Sequence, residues 1–373
     1  MKKLLTICIP TYKRPDTLRR CIISISEQIQ HYGLEKQVQI YVTNDASPDN
    51  TAQVLEEFNS LNCFKHVNRE KNLGMSANIK CMLEEALPES TFQLIITDDD
   101  YLQPSILEAV VGFLAVQLVA NPDVPLIWTP RYSYTEDGKL HCVVCRSFER
   151  DTLISPSPGN AGLYMFNGFV LSGLIVKAKD IDYSLWNGHL ENGYFPVIFS
   201  GELMLRKSCL FWDQNIVHHT VLNKCHWENW GQSDAEITLK LFIDFMNAYV
   251  VIGRRIKPSL QAAIFYVSTF PSVFKMINSL LISSGGFHCL SVGESAVLLS
   301  MDRVSFSKIE LPAKILFFVA AIRIVTSCSV IAAIHKIFSF ISIDRTKKER
   351  QQEAYLQYRQ RLTNATFLMR WVR

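Results

Sequence analysis

The sequence predicts an α/β fold: an open, mostly parallel sheet with helices on both faces, followed by a C-terminal helical region. Three observations carry this. Short apolar runs alternate with amphipathic helical stretches over roughly the first 120 residues; the fourth run is apolar without interruption, as a central parallel strand should be; and the text after about residue 240 turns helical and strongly apolar.

The elements follow in order. Leu4 to Ile9 reads as a first strand, and Leu18, Cys21, Ile22, Ile25 and Ile29 fall on one face of a helix begun near Pro15. Val38 to Thr43 is a second strand, after which Ser47-Pro48 reads as an N-cap with proline at the first helical position and Val54, Leu55 and Phe58 on the buried face. Cys63 to Val67 is a short third strand. Met75, Ile79, Met82, Leu83 and Ala86 mark a third helix, Phe92 to Thr97 a fourth strand, and Pro104 to about Ala120 a fourth helix. From about residue 125 the text is β-rich, with turn signals at Asp137-Gly138 and Pro156 to Gly159, an apolar strand over Phe169 to Val176 and a helix over Pro196 to Lys207. The expected division is residues 1–240 for the sheet domain and 241–373 for the helical region.

The chain has 373 residues, 48% of them hydrophobic and 20% charged, enough apolar text for a large core and far from a disordered composition. Its net charge of +3 is too small for a general nucleic-acid binder, and no nucleic-acid partner is expected. The basic character is local: from Asp344 to Arg373 the tail carries +5. Before it, Pro312 to Ile343 is almost wholly apolar but interrupted by Lys314, Arg323, His335 and Lys336, with no run near the ~20 residues of a spanning helix. Two readings stand: helices lying on a membrane surface with the basic tail beside anionic lipid, or a cap buried against the protein itself. Ten cysteines without a signal-peptide pattern read as reduced and cytoplasmic. Cys142-Val143-Val144-Cys145 beside His141 has a metal-like spacing but fits a strand better.

In an open parallel sheet, ligands sit outside the carboxyl ends of the strands. The loops there hold Pro10-Thr11-Tyr12-Lys13-Arg14, Asn44-Asp45-Ala46-Ser47 and Asp98-Asp99-Asp100. Three consecutive carboxylates repel one another, and such a run suits Mg or Mn held jointly with a substrate's phosphates. An acidic turn capping the helix at Pro104 is the other reading.

Four motifs occur in order: Ile9-Pro10-Thr11-Tyr12-Lys13-Arg14, Val42-Thr43-Asn44-Asp45-Ala46-Ser47-Pro48-Asp49, Asn72-Leu73-Gly74 before a helix, and Ile96-Thr97-Asp98-Asp99-Asp100. Together they resemble family 2 glycosyltransferases of the GT-A fold, and Leu171-Ser172-Gly173-Leu174-Ile175-Val176-Lys177 is similar to bacterial O-antigen transferases of the abequosyltransferase type. The resemblance implies that Thr11 and Asp45 line a nucleoside pocket with Asp45 on the base, that Asp98 meets the ribose, and that Asp100 meets a Mn or Mg ion. Arg14 and Lys71 would add cationic contacts. The implied reaction moves a sugar, with inversion, from a nucleotide donor to a saccharide acceptor, lipid-linked and part of surface polysaccharide or O-antigen synthesis, at the cytoplasmic face of the membrane.

Such a transfer needs a base for the acceptor hydroxyl. Glu191, before Gly193-Tyr194-Phe195-Pro196, is the first candidate and Glu202 the second; His218, His219 and His226 could ligate a metal but read as plain structure. The competing function is a catalytically silent scaffold of the same fold in a polysaccharide assembly complex. A nucleotidyltransferase is disfavoured because neither GxGxxG nor GxxxxGK[ST] is present.

Overall fold

A computed structural model describes residues 2–135, 139–145, 147–220, 244–245 and 247–269. The chain divides into two compact units, Met1–Lys224 and Cys225–Arg373.

The first unit begins β1 (Lys3–Thr11), α1 (Pro15–His31), β2 (Val38–Asn44), α2 (Thr51–Glu56), β3 (Phe64–Asn68), α3 (Met75–Ala86), β4 (Ser90–Ile95), β5 (Tyr101–Leu102) and α4 (Leu107–Ala120). It continues with β6 (Leu126–Trp128), β7 (Arg131–Tyr134), β8 (Leu140–Cys145), β9 (Thr152–Ile154), α5 (Pro158–Tyr164), a 3₁₀ turn (Met165–Phe169), β10 (Leu174–Val176), α6 (Tyr183–Asn187), α7 (Phe195–Arg206), β11 (Cys209–Phe211) and β12 (Val217–Thr220).

Eight strands form the main sheet in the order β3-β2-β1-β4-β10-β6-β11-β9. Strands β3, β2, β1 and β4 are parallel; β10 runs antiparallel between β4 and β6, and β9 runs antiparallel at the edge. The expected mostly parallel sheet is therefore present, with one reversed strand inside it. Chain order turns back at β1, from which β2 and β3 extend one way and β4 the other, so the loops after β1 and β4 diverge and open a crevice. Leu5, Ile7 and Ile9 of β1, Val38, Ile40 and Val42 of β2, and the α1 stripe Leu18, Cys21, Ile22, Ile25 and Ile29 pack into one buried cluster. The helical period of that stripe is what seats α1 on the sheet.

Three sequence expectations shift. Helix α2 starts at Thr51 rather than at Ser47-Pro48, because Asn44 Oδ1 accepts from both the Ser47 hydroxyl, at 2.6 Å, and its N–H, at 3.1 Å, and Ala46 lies at φ +57. The Ser47 side chain is thus spent on a turn and not on a cap. The strand expected from Phe169 is confined to Leu174–Val176, because Met165–Phe169 coils as a 3₁₀ turn and Gly173 sits at φ +87, where a Cβ would meet Thr129 Oγ1 at 2.8 Å. At Pro156 to Gly159 the expected turn is a helix start, Ser157 Oγ accepting from Asn160 N at 3.0 Å. Cys142 and Cys145 lie on strand β8, as the strand reading had it.

A second sheet, in the order β5-β12-β7-β8, stands beside the carboxyl end of β4. In the second unit the described residues include α8 (Ser259–Ser268), and Phe245, Tyr249, Phe265 and Tyr266 are buried there in edge and tilted ring contacts. Pro312 to Ile343, the basic tail, His226 and the Asp137-Gly138 turn lie outside the described residues. Among the described residues no helix is long and apolar enough to cross a membrane.

Candidate active site

The crevice is built from the ends of β1, β2 and β4. Thr11 stands opposite Asn44 in the β1–β2 register, and Asp45 N donates to Thr11 O at 3.0 Å, so the first two motifs are one continuous surface. Asp45 is buried and its carboxylate reaches across to the third motif, accepting from Leu73 N at 2.8 Å on one oxygen and from Gly74 N at 3.0 Å on the other. Asn72-Leu73-Gly74 is thereby clamped beneath α3, with Gly74 at φ +82 making the turn into that helix. Asp45 is first of all the anchor of that loop.

The carboxylate run after β4 is held differently. Thr11 Oγ1 donates to Asp98 Oδ2 at 2.6 Å, and Arg14 Nη1 lies 3.0 Å from Asp98 Oδ1 and 2.8 Å from Asp99 Oδ2. Burial raises the Asp98 carboxyl to about 6, with Arg14 pulling against that and Asp99 adding to it. Arg14 is itself set up by sequence: Pro15 at the first position of α1 ends the loop, and Lys13 turns it at φ +58 with its N–H on Ser47 Oγ at 2.9 Å. Asp100 is buried, not displayed on an exposed loop. Its partners include Thr97 Oγ1 at 3.1 Å and His219 Nδ1 at 3.0 Å from both oxygens. Burial pushes the His219 imidazole down, but the hydrogen bond and charge of Asp100 outweigh it and the net shift is upward.

His219 arrives through the second sheet. Strand β5 follows the carboxylates directly and pairs with β12, setting His218 opposite Tyr101. The His218 ring is stacked between Tyr101 at 4.2 Å and Tyr134 at 4.1 Å, which fixes the strand one residue before His219. Of this histidine pair, His218 packs between two rings while His219 reaches the Asp100 carboxylate. Ser172, in the segment before β10, completes the support: its Oγ accepts from Thr97 N at 2.9 Å and lies 2.8 Å from Thr97 Oγ1.

The other expected residues belong to other elements. Lys71 is exposed. Glu191 is exposed in the connection between α6 and α7. That connection follows Trp186, whose Nε1 donates to Ser76 Oγ at 2.9 Å, so α6 docks at the start of α3 beside the loop held by Asp45. Glu202 is buried inside α7 and paired through both oxygens with Arg206 Nε and Nη2. A carboxylate so engaged is a helix ion pair rather than a ready base.

No cluster of three His, Cys, Asp or Glu at metal-binding spacing occurs among the described residues. Two donors do converge, the Asp100 carboxylate and His219 Nδ1. Asp100 and, once its Nδ1 proton is released, His219 would be the residues to hold a Mn or Mg ion together with a diphosphate and water.

Residues 6–133 match the sequence profile of glycosyl transferase family 2. The matched span contains all four motifs and ends in the second sheet. A curated relative, the abequosyltransferase RfbV of Salmonella typhimurium, is 22% identical over 204 residues, which cover 52% of this chain and 59% of that protein. Among solved structures, S. aureus TarS (residues 1–349) aligns with a TM-score of 0.51 at 15% identity over 82% of each chain. The same protein in complex with UDP-GlcNAc aligns with a TM-score of 0.51 at 16% identity over 82% of this chain and 83% of that one. At such identities the likeness is one of fold, and the fold is the GT-A glycosyltransferase arrangement.

Proposed function

We propose that this protein is a glycosyltransferase that moves a sugar from a nucleoside-diphosphate donor to a saccharide acceptor, with inversion and with a Mn or Mg ion at Asp100 and His219. The observation that carries the reading is the convergence of Thr11, Arg14, Asp45, Asp98 and Asp100 on one crevice at the strand ends, inside the span that matches the family. Asp45, by anchoring Leu73 and Gly74, shapes the wall for the nucleoside and offers its remaining lone pairs to the base. In this reading Asp98 meets the ribose hydroxyls and Arg14 the diphosphate. When bound, the ion offsets the charge that develops on the departing diphosphate. Glu191 takes the acceptor hydroxyl's proton as the new bond forms.

The similarity to an abequosyltransferase supports a saccharide acceptor in bacterial surface polysaccharide or O-antigen synthesis, lipid-linked and presented at the cytoplasmic face of the membrane. The apolar stretch from Pro312 to Ile343 and the +5 tail would bring the protein to that surface as a peripheral component. Two measurements test this. Release of nucleoside diphosphate from a panel of sugar nucleotides, with and without manganese, should identify one donor and be metal-dependent; no turnover with any of them, acceptor extract included, would favour the silent scaffold. Sedimentation with anionic vesicles should be strong at low salt, partly reversed by high salt and weakened by deleting residues 344–373, since each basic residue near the surface contributes about 1 kcal/mol; a chain that stays in the supernatant at low salt would contradict it.

A further inference from the structure

The Asp98-Asp99-Asp100 run has its charge balanced from two sides. His219 and Thr97 serve Asp100, while a single nitrogen of Arg14 sits between Asp98 and Asp99, at 3.0 and 2.8 Å. Arg20 adds a bond from its Nη2 to the backbone carbonyl of Asp99 at 3.2 Å and lies over the Tyr101 ring at 4.9 Å. Asp98 is 4% exposed and both its oxygens are engaged, one by Thr11 and one by Arg14. Nothing can reach that carboxylate along the Arg14 side unless the guanidinium leaves.

The backbone of Arg14 is pinned and its head group is exchangeable. Its N-terminal neighbour is held in a left-handed turn by Ser47, and Pro15 opens α1 after it, whereas the side chain is 23% exposed. The Arg14 charge is favoured there by Asp98 and Asp99 against the cost of burial. A divalent cation entering the same loop meets a positive charge already seated on two of its three carboxylates. A diphosphate entering the crevice offers that guanidinium a bidentate partner of higher charge.

We propose that Arg14 is the resident counter-cation of this loop: it opposes a divalent ion arriving alone, passes to the diphosphate when the donor binds, and so couples metal binding to nucleotide binding. This rests on the donor-site reading above and adds an order to it. Metal alone binds weakly, and metal with nucleotide binds well, because one residue changes partner between the two. Arg14 acts here as a positioning residue for Asp98 and Asp99 before the donor arrives and as a diphosphate contact afterwards.

The test is manganese binding to the full 373-residue protein, by titration with electron paramagnetic resonance detection, with and without saturating nucleoside diphosphate. In Arg14→Gln, manganese alone should bind about tenfold more tightly than in the parent, and the gain in manganese affinity on adding nucleotide should shrink by about the same factor. Arg14→Lys, which keeps the charge at the end of a flexible stem, should behave like the parent. The sign separates this role from mere support of the loop, since a loop that loses its scaffold binds metal less well. Unchanged or weaker manganese binding in Arg14→Gln, with Arg14→Lys folded as a control, overturns the proposal. Tighter manganese binding in Arg14→Gln with no nucleotide binding by the parent would uphold the counter-cation and overturn the donor-site reading instead.

Discussion

Two loops at the ends of β2 and β4, the strands that flank β1, carry buried carboxylates, and they satisfy them by opposite means. Asp45 is held by main-chain N–H groups, Leu73 and Gly74, that no ligand can displace without unfolding the loop. Asp98, Asp99 and Asp100 are held by side chains, Thr11, Arg14, Thr97 and His219, each able to rotate away. The first arrangement is a wall and the second an exchangeable socket. A metal and a diphosphate need a place where charges can change partners, while a nucleoside needs a surface that already has its shape. The same residue type serves both ends because its partners differ.

The contrast can be broken by substitution, starting with the largest effect. Asp100→Asn keeps an oxygen for His219 and Thr97 while removing the charge, so the thermal midpoint should stay near that of the parent while metal-dependent turnover of donor falls by about a thousandfold or more. Turnover near the parent rate would remove Asp100 from the metal site. Glu191→Gln should lower kcat by about a hundredfold with donor affinity unchanged, because a base for the acceptor takes no part in holding the nucleotide. If Glu202→Gln shows that split and Glu191→Gln does not, the base belongs to α7 despite its pairing with Arg206. Asp45→Ala should do what no socket variant does and loosen the fold as well as the site. It leaves the Leu73 N–H without its carboxylate partner and the Gly74 N–H with Asn72 Oδ1 alone, costs about 1 to 3 kcal/mol of stability and weakens nucleotide binding by a comparable amount, read by denaturant unfolding and calorimetry. A variant as stable as the parent would mean that the loop after β3 does not depend on Asp45.

How much of this could be read in the sequence follows the range of the interactions. Strands β1 to β4 and helices α1 and α3 are specified by apolar periods local to each element, and the positions of Thr11, Asp45 and Asp98 at the strand ends follow from the topology alone. The start of α2 is hidden because Ser47-Pro48 has the composition of a cap, while the Ser47 hydroxyl is taken by Asn44, three residues earlier, and by the N–H of Lys13, which β1 brings alongside. The sequence marks His219 only as one of a histidine pair, and nothing local joins it to the carboxylate run. It lies 119 residues from Asp100, and what joins them is a short strand pairing of β5 with β12 in a sheet assembled from distant pieces. Ser172 stood in a segment already similar to O-antigen transferases, yet its bonds to Thr97 depend on β10 entering the sheet reversed beside β4.

The central claim is that the crevice at the ends of β1, β2 and β4 holds a nucleoside diphosphate with a divalent ion. A thermal-shift panel of UDP, GDP, CDP and TDP, each with and without manganese, tests it most directly. One nucleotide should raise the midpoint of the parent, raise it further with manganese, and lose the manganese-dependent part in Asp100→Asn; at a hundred times its Kd such a ligand stabilises by about 2.7 kcal/mol. A panel in which no nucleotide shifts the midpoint, or in which Asp100→Asn responds to manganese as the parent does, would contradict it.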